Sequence, residues 1–313
     1  MTSQPKALAI LGPTASGKTQ LALELAQHLP IEIISLDSAL VYRDMNIGTA
    51  KPSPAELSSV PHHLIDIISP LEAYSAAQFV SDCSRLCHEI HQRGKLPIIV
   101  GGTMMYYHAL TQGLNDLPEA DPTLRAQLHA EKNQYGIEYL HQRLQQIDPI
   151  TAARLHATDS QRIERALEVF LLTGKPLSTH LATSSQQAPL NLSTLALIPA
   201  DRARLHQHIA QRFHTMLAHG FLNEVTQLQQ RYPSLNADST AMRCVGYRQA
   251  WDYLAGLHSY DEFVEKGIIA TRQLAKRQLT WLRKLNTQHT LDPYQTPQML
   301  PLVLNIAQHH FQL

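Results

Sequence analysis

Long apolar runs are missing from this 313-residue chain, and none approaches the ~18 residues that a membrane-spanning helix requires. The first residues lack a charged n-region followed by an apolar h-region. Both absences point to a cytoplasmic protein with no membrane association. Cysteine is scarce, and the odd, scattered set Cys83, Cys87 and Cys244 excludes a disulfide framework. Cys83 and Cys87 with His88 and His91 do not read as a zinc site. On a helix residue 88 points about 100° away from 87, and no second ligand pair follows. Net charge is lacking too: 26 Lys and Arg balance 26 Asp and Glu, so the sum argues neither for nor against nucleic acid. What the chain does have is 44% hydrophobic residues, enough for one large domain or two smaller ones.

The densest signal is Gly12-Pro13-Thr14-Ala15-Ser16-Gly17-Lys18-Thr19, which satisfies the phosphate-cradling P-loop pattern. It lies between a buried-strand run, residues 7–11, and a helical pattern from Leu21. Backbone N–H groups of residues 14–19 are expected to curl around a diphosphate at the positive end of that helix. Lys18 would meet the phosphate oxygens, and the Thr19 hydroxyl would be offered to Mg2+.

Further along, the predicted strand at 31–35 delivers Asp37 and Ser38 to the carboxyl edge of the sheet, where open α/β sheets bind ligands. Asp37 is a candidate base or metal-water partner, with a turn or N-cap aspartate as the alternative. Residues 41–54 form an irregular connection. His62 and His63 open a third short strand and read as packed or hydrogen-bonded side chains. The strand at 95–100 ends in Gly101-Gly102-Thr103, where P-loop ATPases carry a metal-holding aspartate.

From about residue 116 the texture becomes polar and helical, up to a loop-like stretch at 184–189. Residues 194–199 return to buried-strand character. The expected architecture is an α/β, P-loop NTPase-like parallel sheet flanked by helices (1–118 and 194–313) with an all-helical insertion at 119–193. Within the insertion, Gln161, Arg162 and Arg165 lie on neighbouring turns; they fit a lid, a nucleic-acid face or a solvated face. Residues 266–291 carry Lys266, Arg272, Lys276, Arg277, Arg283 and Lys284 around Trp281 with no acidic residue, the footprint of a polyanion partner.

Together these blocks resemble the tRNA dimethylallyltransferase (tRNA isopentenyltransferase) family over nearly the whole length. The matching stretches are GPTASGKT (12–19), SLDSALVYRDMNIGTAKP (35–52), HHLID (62–66), GGTMMYY (101–107), QRIERALEV (161–169), TGKPLS (173–178) and RQLAKRQLTWLRK (272–284). The resemblance implies transfer of a dimethylallyl group from dimethylallyl diphosphate to N6 of the adenosine 3′ of the anticodon, with Mg2+. Asp37 would be the base, with Thr103 and Lys18 as its catalytic companions. It also implies contacts to the tRNA anticodon stem-loop from Asp37, Ser38, Ala39, Leu40, Thr103, Gln161, Arg162, Ile163, Glu164 and Arg165. A second set comprises Arg243, Cys244, Val245, Gly246, Tyr247, Arg248, Lys276, Arg277, Gln278, Leu279, Thr280, Trp281, Leu282 and Arg283. Arg125 is a further candidate contact. Leu40 departs from the Gln that many members carry. No protein partner is implied, and a monomer is expected. Two rival readings stand beside this one: a P-loop small-molecule kinase, and a noncatalytic nucleotide-gated RNA-binding protein.

Overall fold

The computed structural model describes residues 4–113, 117–182, 190–285, 287–296 and 298–313. The chain divides into two compact units, residues 1–111 with 189–313, and residues 112–188. The dividing points differ from the 118/119 and 193/194 expected from composition, and the strand that follows the insertion already begins at Asn191. Its opening residues Asn191, Leu192 and Ser193 are partly polar, which hides the strand start from a reading based on apolar runs. The loop expected at 184–189 lies outside the described residues.

The first unit is built on a six-stranded parallel sheet. Its strands are β1 (Lys6–Leu11), β2 (Ile31–Leu36), β3 (His62–His63), β4 (Leu96–Gly101), β5 (Asn191–Leu197) and β6 (His289–Leu291), in the order β3-β2-β4-β1-β5-β6. β2 and β4 are buried along their whole length, and β1 at every residue after Lys6. Such near-continuous burial is what parallel strands covered by helices on both faces require. The crossover helices are α1 (Lys18–Ala26), α2 (Pro54–Ser59), α3 (Ala76–Gln92) and α4 (Met104–Gln112). Ser75 caps α3 in a reciprocal capping box with Gln78.

Residues 112–188 hold α5 (Pro122–Tyr135), α6 (Ile137–Ile147), α7 (Pro149–Arg154), α8 (Ser160–Thr173) and α9 (Leu177–Ala182). They close on a core of Leu128, Leu140, Leu144, Ala152, Ile163, Ala166 and Leu167. The sheet unit then resumes with α10 (Arg202–Ala218), α11 (Phe221–Arg231), α12 (Tyr247–Leu254), α13 (Tyr260–Leu282) and α14 (Met299–Phe311). The basic stretch 266–291 is therefore not one helix. α13 ends at Leu282, and residues 289–291 form edge strand β6.

Glu32, buried at the start of β2, fixes the sheet edge. Its carboxylate accepts two hydrogen bonds from Arg93 (3.0 and 2.7 Å) and lies 2.7 Å from His63 Nε2. Arg93 chiefly, with His63, holds the Glu32 pKa down at about 2 against a partial desolvation penalty. Because this lies below the unfolded value near 4.5, the interaction contributes fully above pH 4.5 and is lost as pH falls towards 2. Glu32→Gln should therefore lower stability at neutral pH by about 1–3 kcal/mol. It should also flatten the acid limb of stability against pH between 4.5 and 2, read by denaturant titration at each pH.

Candidate active site

Three strand ends meet at one level. Leu36 of β2 and Leu11 of β1 are both in register with Gly101 of β4. Residues 12, 37 and 102 therefore leave the sheet side by side. The amides of Gly102 and Thr103 both donate to Leu36 O (3.2 Å each). A Cβ on Gly101 would sit 2.1 Å from that same oxygen, so only glycine allows the approach.

After β1 the chain enters the cradle. Ala15 (φ 63°) and Gly17 (φ 85°) take left-handed conformations, and the turn opens into α1 at Lys18. Lys18 Nζ donates to Pro13 O at 2.7 Å. Burial pushes its pKa down to about 8; Arg212 acts in the same direction and Asp37 opposes both. Thr19 is exposed in the first turn of α1.

Asp37 is half-buried, and its Oδ1 accepts from Ala39 N at 2.8 Å. This is the turn geometry allowed for in the sequence, and it orients the carboxylate. Oδ2 has no hydrogen-bond partner among the described residues and is available to take a proton. Thr103 Oγ1 accepts from Ser38 N (3.0 Å) and donates to Ser38 Oγ (3.3 Å). The hydroxyl of β4's end is thus fastened to the turn that carries Asp37.

Arg212, on α10, was not identified from sequence. It is half-buried, has no hydrogen bond or ion pair among the described residues, and has its pKa lowered by burial against the attraction of Asp37. The signal was present: residue 212 falls on the same stripe as Leu205, Ile209 and Phe213, which are core residues, and an arginine on a buried stripe needs an anion. Cys244 borders the same space, its thiol pushed up to about 12 by burial and by Asp37. It stays protonated at neutral pH and presents an apolar wall. Tyr106 is buried, with its pKa raised by burial and by the neighbouring Tyr42, Asp37 and Cys244.

The residues assigned to RNA contact separate into three groups. Lys276, Arg277, Thr280, Trp281, Arg283 and Arg243 are exposed, and the five cations Lys276, Arg277, Arg283, Lys284 and Arg243 have no acidic partner among the described residues. Ser38, Gln161 and Arg162 are also exposed, Arg162 in an ion pair with Asp159 (2.9 Å), while Ala39, Leu40 and Val245 are half-buried.

A second group lies in cores and is corrected accordingly. Ile163, Leu279 and Leu282 pack inside hydrophobic clusters. Gly246 is buried, and Tyr247 is fully buried with its hydroxyl on Glu224 (2.5 Å). These residues place their neighbours and do not reach a ligand surface.

In the third group, polar side chains are held by partners of their own. Buried Glu168 accepts from Arg125 (2.8 and 3.1 Å), from Arg165 (2.6 Å) and from Asp121 N (3.0 Å). Arg125 and Arg165 are thereby pinned as structural cations of the helical unit. Glu164 is bound by Lys132 (2.7 Å), and Arg248 donates to Ala237 O (2.5 Å). Gln278 is bonded to Thr14 N and Gly102 O, so the Thr14 amide, expected among the cradle donors, is already spent within the protein.

The chain is similar to known proteins over nearly all its length. Residues 40–285 match the IPP transferase family. A protein of Neisseria meningitidis serogroup A named tRNA dimethylallyltransferase is 62% identical over 308 residues, 98% of each chain. The protein of that name from Chromobacterium violaceum is 58% identical, covering 91% of this chain and 88% of its own. Among solved structures, the full-length tRNA isopentenylpyrophosphate transferase of Bacillus halodurans matches with a TM-score of 0.70 at 36% identity, over 98% of this chain and 97% of that one. A eukaryotic dimethylallyltransferase described as acting on tRNA matches with a TM-score of 0.82 at 26% identity, over 98% and 79%. With a P-loop and an oriented aspartate on one parallel sheet, with the exposed cations Lys276 and Arg277 of α13 lacking an acidic partner among the described residues, and with these matches along its length, the chain belongs to the IPP transferase family.

Proposed function

We propose that this protein is a tRNA prenyltransferase. It moves the dimethylallyl group of dimethylallyl diphosphate to the exocyclic N6 of the adenosine 3′ of the anticodon. The observation that carries the reading is the juxtaposition of an anion cradle, two under-neutralised cations and one free carboxylate oxygen at adjoining strand ends.

In this reading N6 attacks the allylic carbon, the carbon–oxygen bond to diphosphate breaks, and the N6 proton passes to Asp37 Oδ2. Lys18, Arg212 and the cradle amides receive the charge that collects on the departing diphosphate. Thr103, linked to Ser38, presents its hydroxyl between the two halves of the site. Cys244 and Tyr106 bound it with groups that stay neutral. The adenine enters as an extruded loop base, and the exposed cations of α13 with Arg243 carry the stem-loop backbone.

A divalent cation such as Mg2+ fits as a companion of the diphosphate. The exposed Thr19 hydroxyl is the protein donor, and no cluster of three or more His, Cys, Asp or Glu side chains offers a cage among the described residues. Mg2+ characteristically binds through substrate phosphates, water and few protein ligands. When bound it adds positive charge to the leaving group.

The direct test is transfer of label from dimethylallyl diphosphate to an unmodified tRNA with adenosines after its anticodon. The wild-type chain should label the tRNA, and Asp37→Asn should keep tRNA affinity while losing about 10²–10⁴ in kcat. Transfer from γ-labelled ATP to a small acceptor without prenyl transfer would instead establish a kinase. Lys18 supplies a pH signature. With its pKa near 8 in the free protein, it must take up a proton when diphosphate binds above that pH. Calorimetry in buffers of different ionisation enthalpy should detect this uptake, and Lys18→Arg should abolish it. Lys276→Ala or Arg283→Ala should each weaken tRNA binding and lower the slope of log affinity against log salt by about 1; an unchanged slope removes that residue from the interface.

A further inference from the structure

Gln278 sits on the exposed basic turn of α13 by sequence, next to Lys276 and Arg277, yet its side chain turns the other way. Oε1 accepts from Thr14 N at 2.9 Å, and Nε2 donates to Gly102 O at 2.9 Å. A carboxamide has one accepting and one donating end, so this orientation alone makes both bonds. One amide thus joins Thr14, the third residue of the phosphate-cradle motif, to the residue before Thr103. The amide lies close against the glycine: a Cβ on Gly102 would lie 2.5 Å from Gln278 Nε2 and 3.0 Å from Gly12 O. On either side in sequence, Leu279 and Ala275 are buried in the cluster that also holds Leu205 and Ile209 of α10, so the helix under the amide is anchored to the core.

We propose that Gln278 is a positioning residue that couples the two substrates, transmitting occupation of the basic face of α13 to the diphosphate cradle. The inference rests on the functional reading above, which supplies RNA on one side and diphosphate on the other. RNA phosphates on Lys276 and Arg277 bear on the turn of α13 that carries the amide. An anion in the cradle orders the loop that the amide grips. Each ligand favours the same bonded arrangement, so each raises the affinity of the other by one common factor.

The test uses inorganic diphosphate with Mg2+, which cannot react, and an unmodified anticodon stem-loop RNA. Diphosphate affinity is measured calorimetrically with and without saturating RNA, and RNA affinity with and without saturating diphosphate. In the wild-type chain the RNA should tighten diphosphate about tenfold, and the reciprocal measurement should give the same factor. In Gln278→Leu the factor should fall below about twofold, while RNA affinity measured alone stays within about threefold of wild type. Gln278→Glu keeps an acceptor for Thr14 N and loses the donor to Gly102 O; it should show an intermediate factor, and it serves in place of the leucine variant should that one not fold. A coupling factor unchanged in these variants overturns the proposal, as does a wild type that shows none. An RNA affinity that drops tenfold or more with the factor intact also overturns it, making Gln278 an RNA contact. Failure of the wild-type chain to prenylate the stem-loop would overturn the functional reading itself, and is scored in the separate transfer assay.

Discussion

The level register of three parallel strands is the constraint on which the site depends. Leu11, Gly101 and Leu36 stand opposite one another, so the cradle, the Gly-Gly-Thr turn and the Asp37 turn emerge together although they are far apart in sequence. A one-residue slip of β1 would carry Ala7, Ala9 and Leu11 into the layer that holds Leu8 and Ile10, exchanging side chains of different size between two packed layers. The register is therefore as firm as the core. The bifurcated pair of hydrogen bonds from Gly102 and Thr103 to Leu36 O carries that firmness beyond the sheet and sets Thr103 against Ser38.

On this rigid frame the electrostatics are left unfinished. Lys18 has a single carbonyl partner and Arg212 has none among the described residues, while the one nearby carboxylate, Asp37, gives an oxygen to its own turn. Two partly desolvated cations facing one carboxylate make an environment that favours additional negative charge. Burial first, and Arg212 second, hold the Lys18 pKa down at about 8 against the pull of Asp37. In the proposed reaction an arriving diphosphate would relieve the imbalance, and charges already held in place act most strongly on a developing anion.

Much of this was legible in the sequence because it is written in local pattern. The strand–loop–helix context of residues 12–19, the apolar runs of β1, β2 and β4, the capping of α3 by Ser75 and the polar helical texture of the insertion all depend on neighbours a few residues away. What escaped is long-range or atomic. Arg212 reads as one charge on an amphipathic helix until α10 is placed beside Lys18. Arg125 and Arg165 read as free cations until buried Glu168 claims both. Tyr247 sits in an apparently functional block, yet its ring fills a core and its hydroxyl serves Glu224. Edge strand β6 is three residues long and continues the basic stretch without an apolar signal of its own.

The end of β4 explains why a phosphate cradle can serve carbon chemistry. In P-loop enzymes that transfer a phosphoryl group, an acidic side chain at the end of a neighbouring strand holds the metal against the reacting phosphate. Here that strand ends in glycines. At Gly102 the amide of Gln278 fills the space a Cβ would take, so a side chain there would displace that amide. The nearest carboxylate is that of Asp37, one strand over, on the side of the site away from the cradle's own strand. The loss of the acidic group and the insertion of a basic helix's glutamine are thus two sides of one substitution of parts. In the proposed reading the glutamine tethers the cradle to the RNA-facing helix, and Asp37 stands where the nucleophile's proton would go. In the proposed reaction a cradle arranged in this way would hold its diphosphate as a leaving group, with the bond on its carbon side the one that breaks.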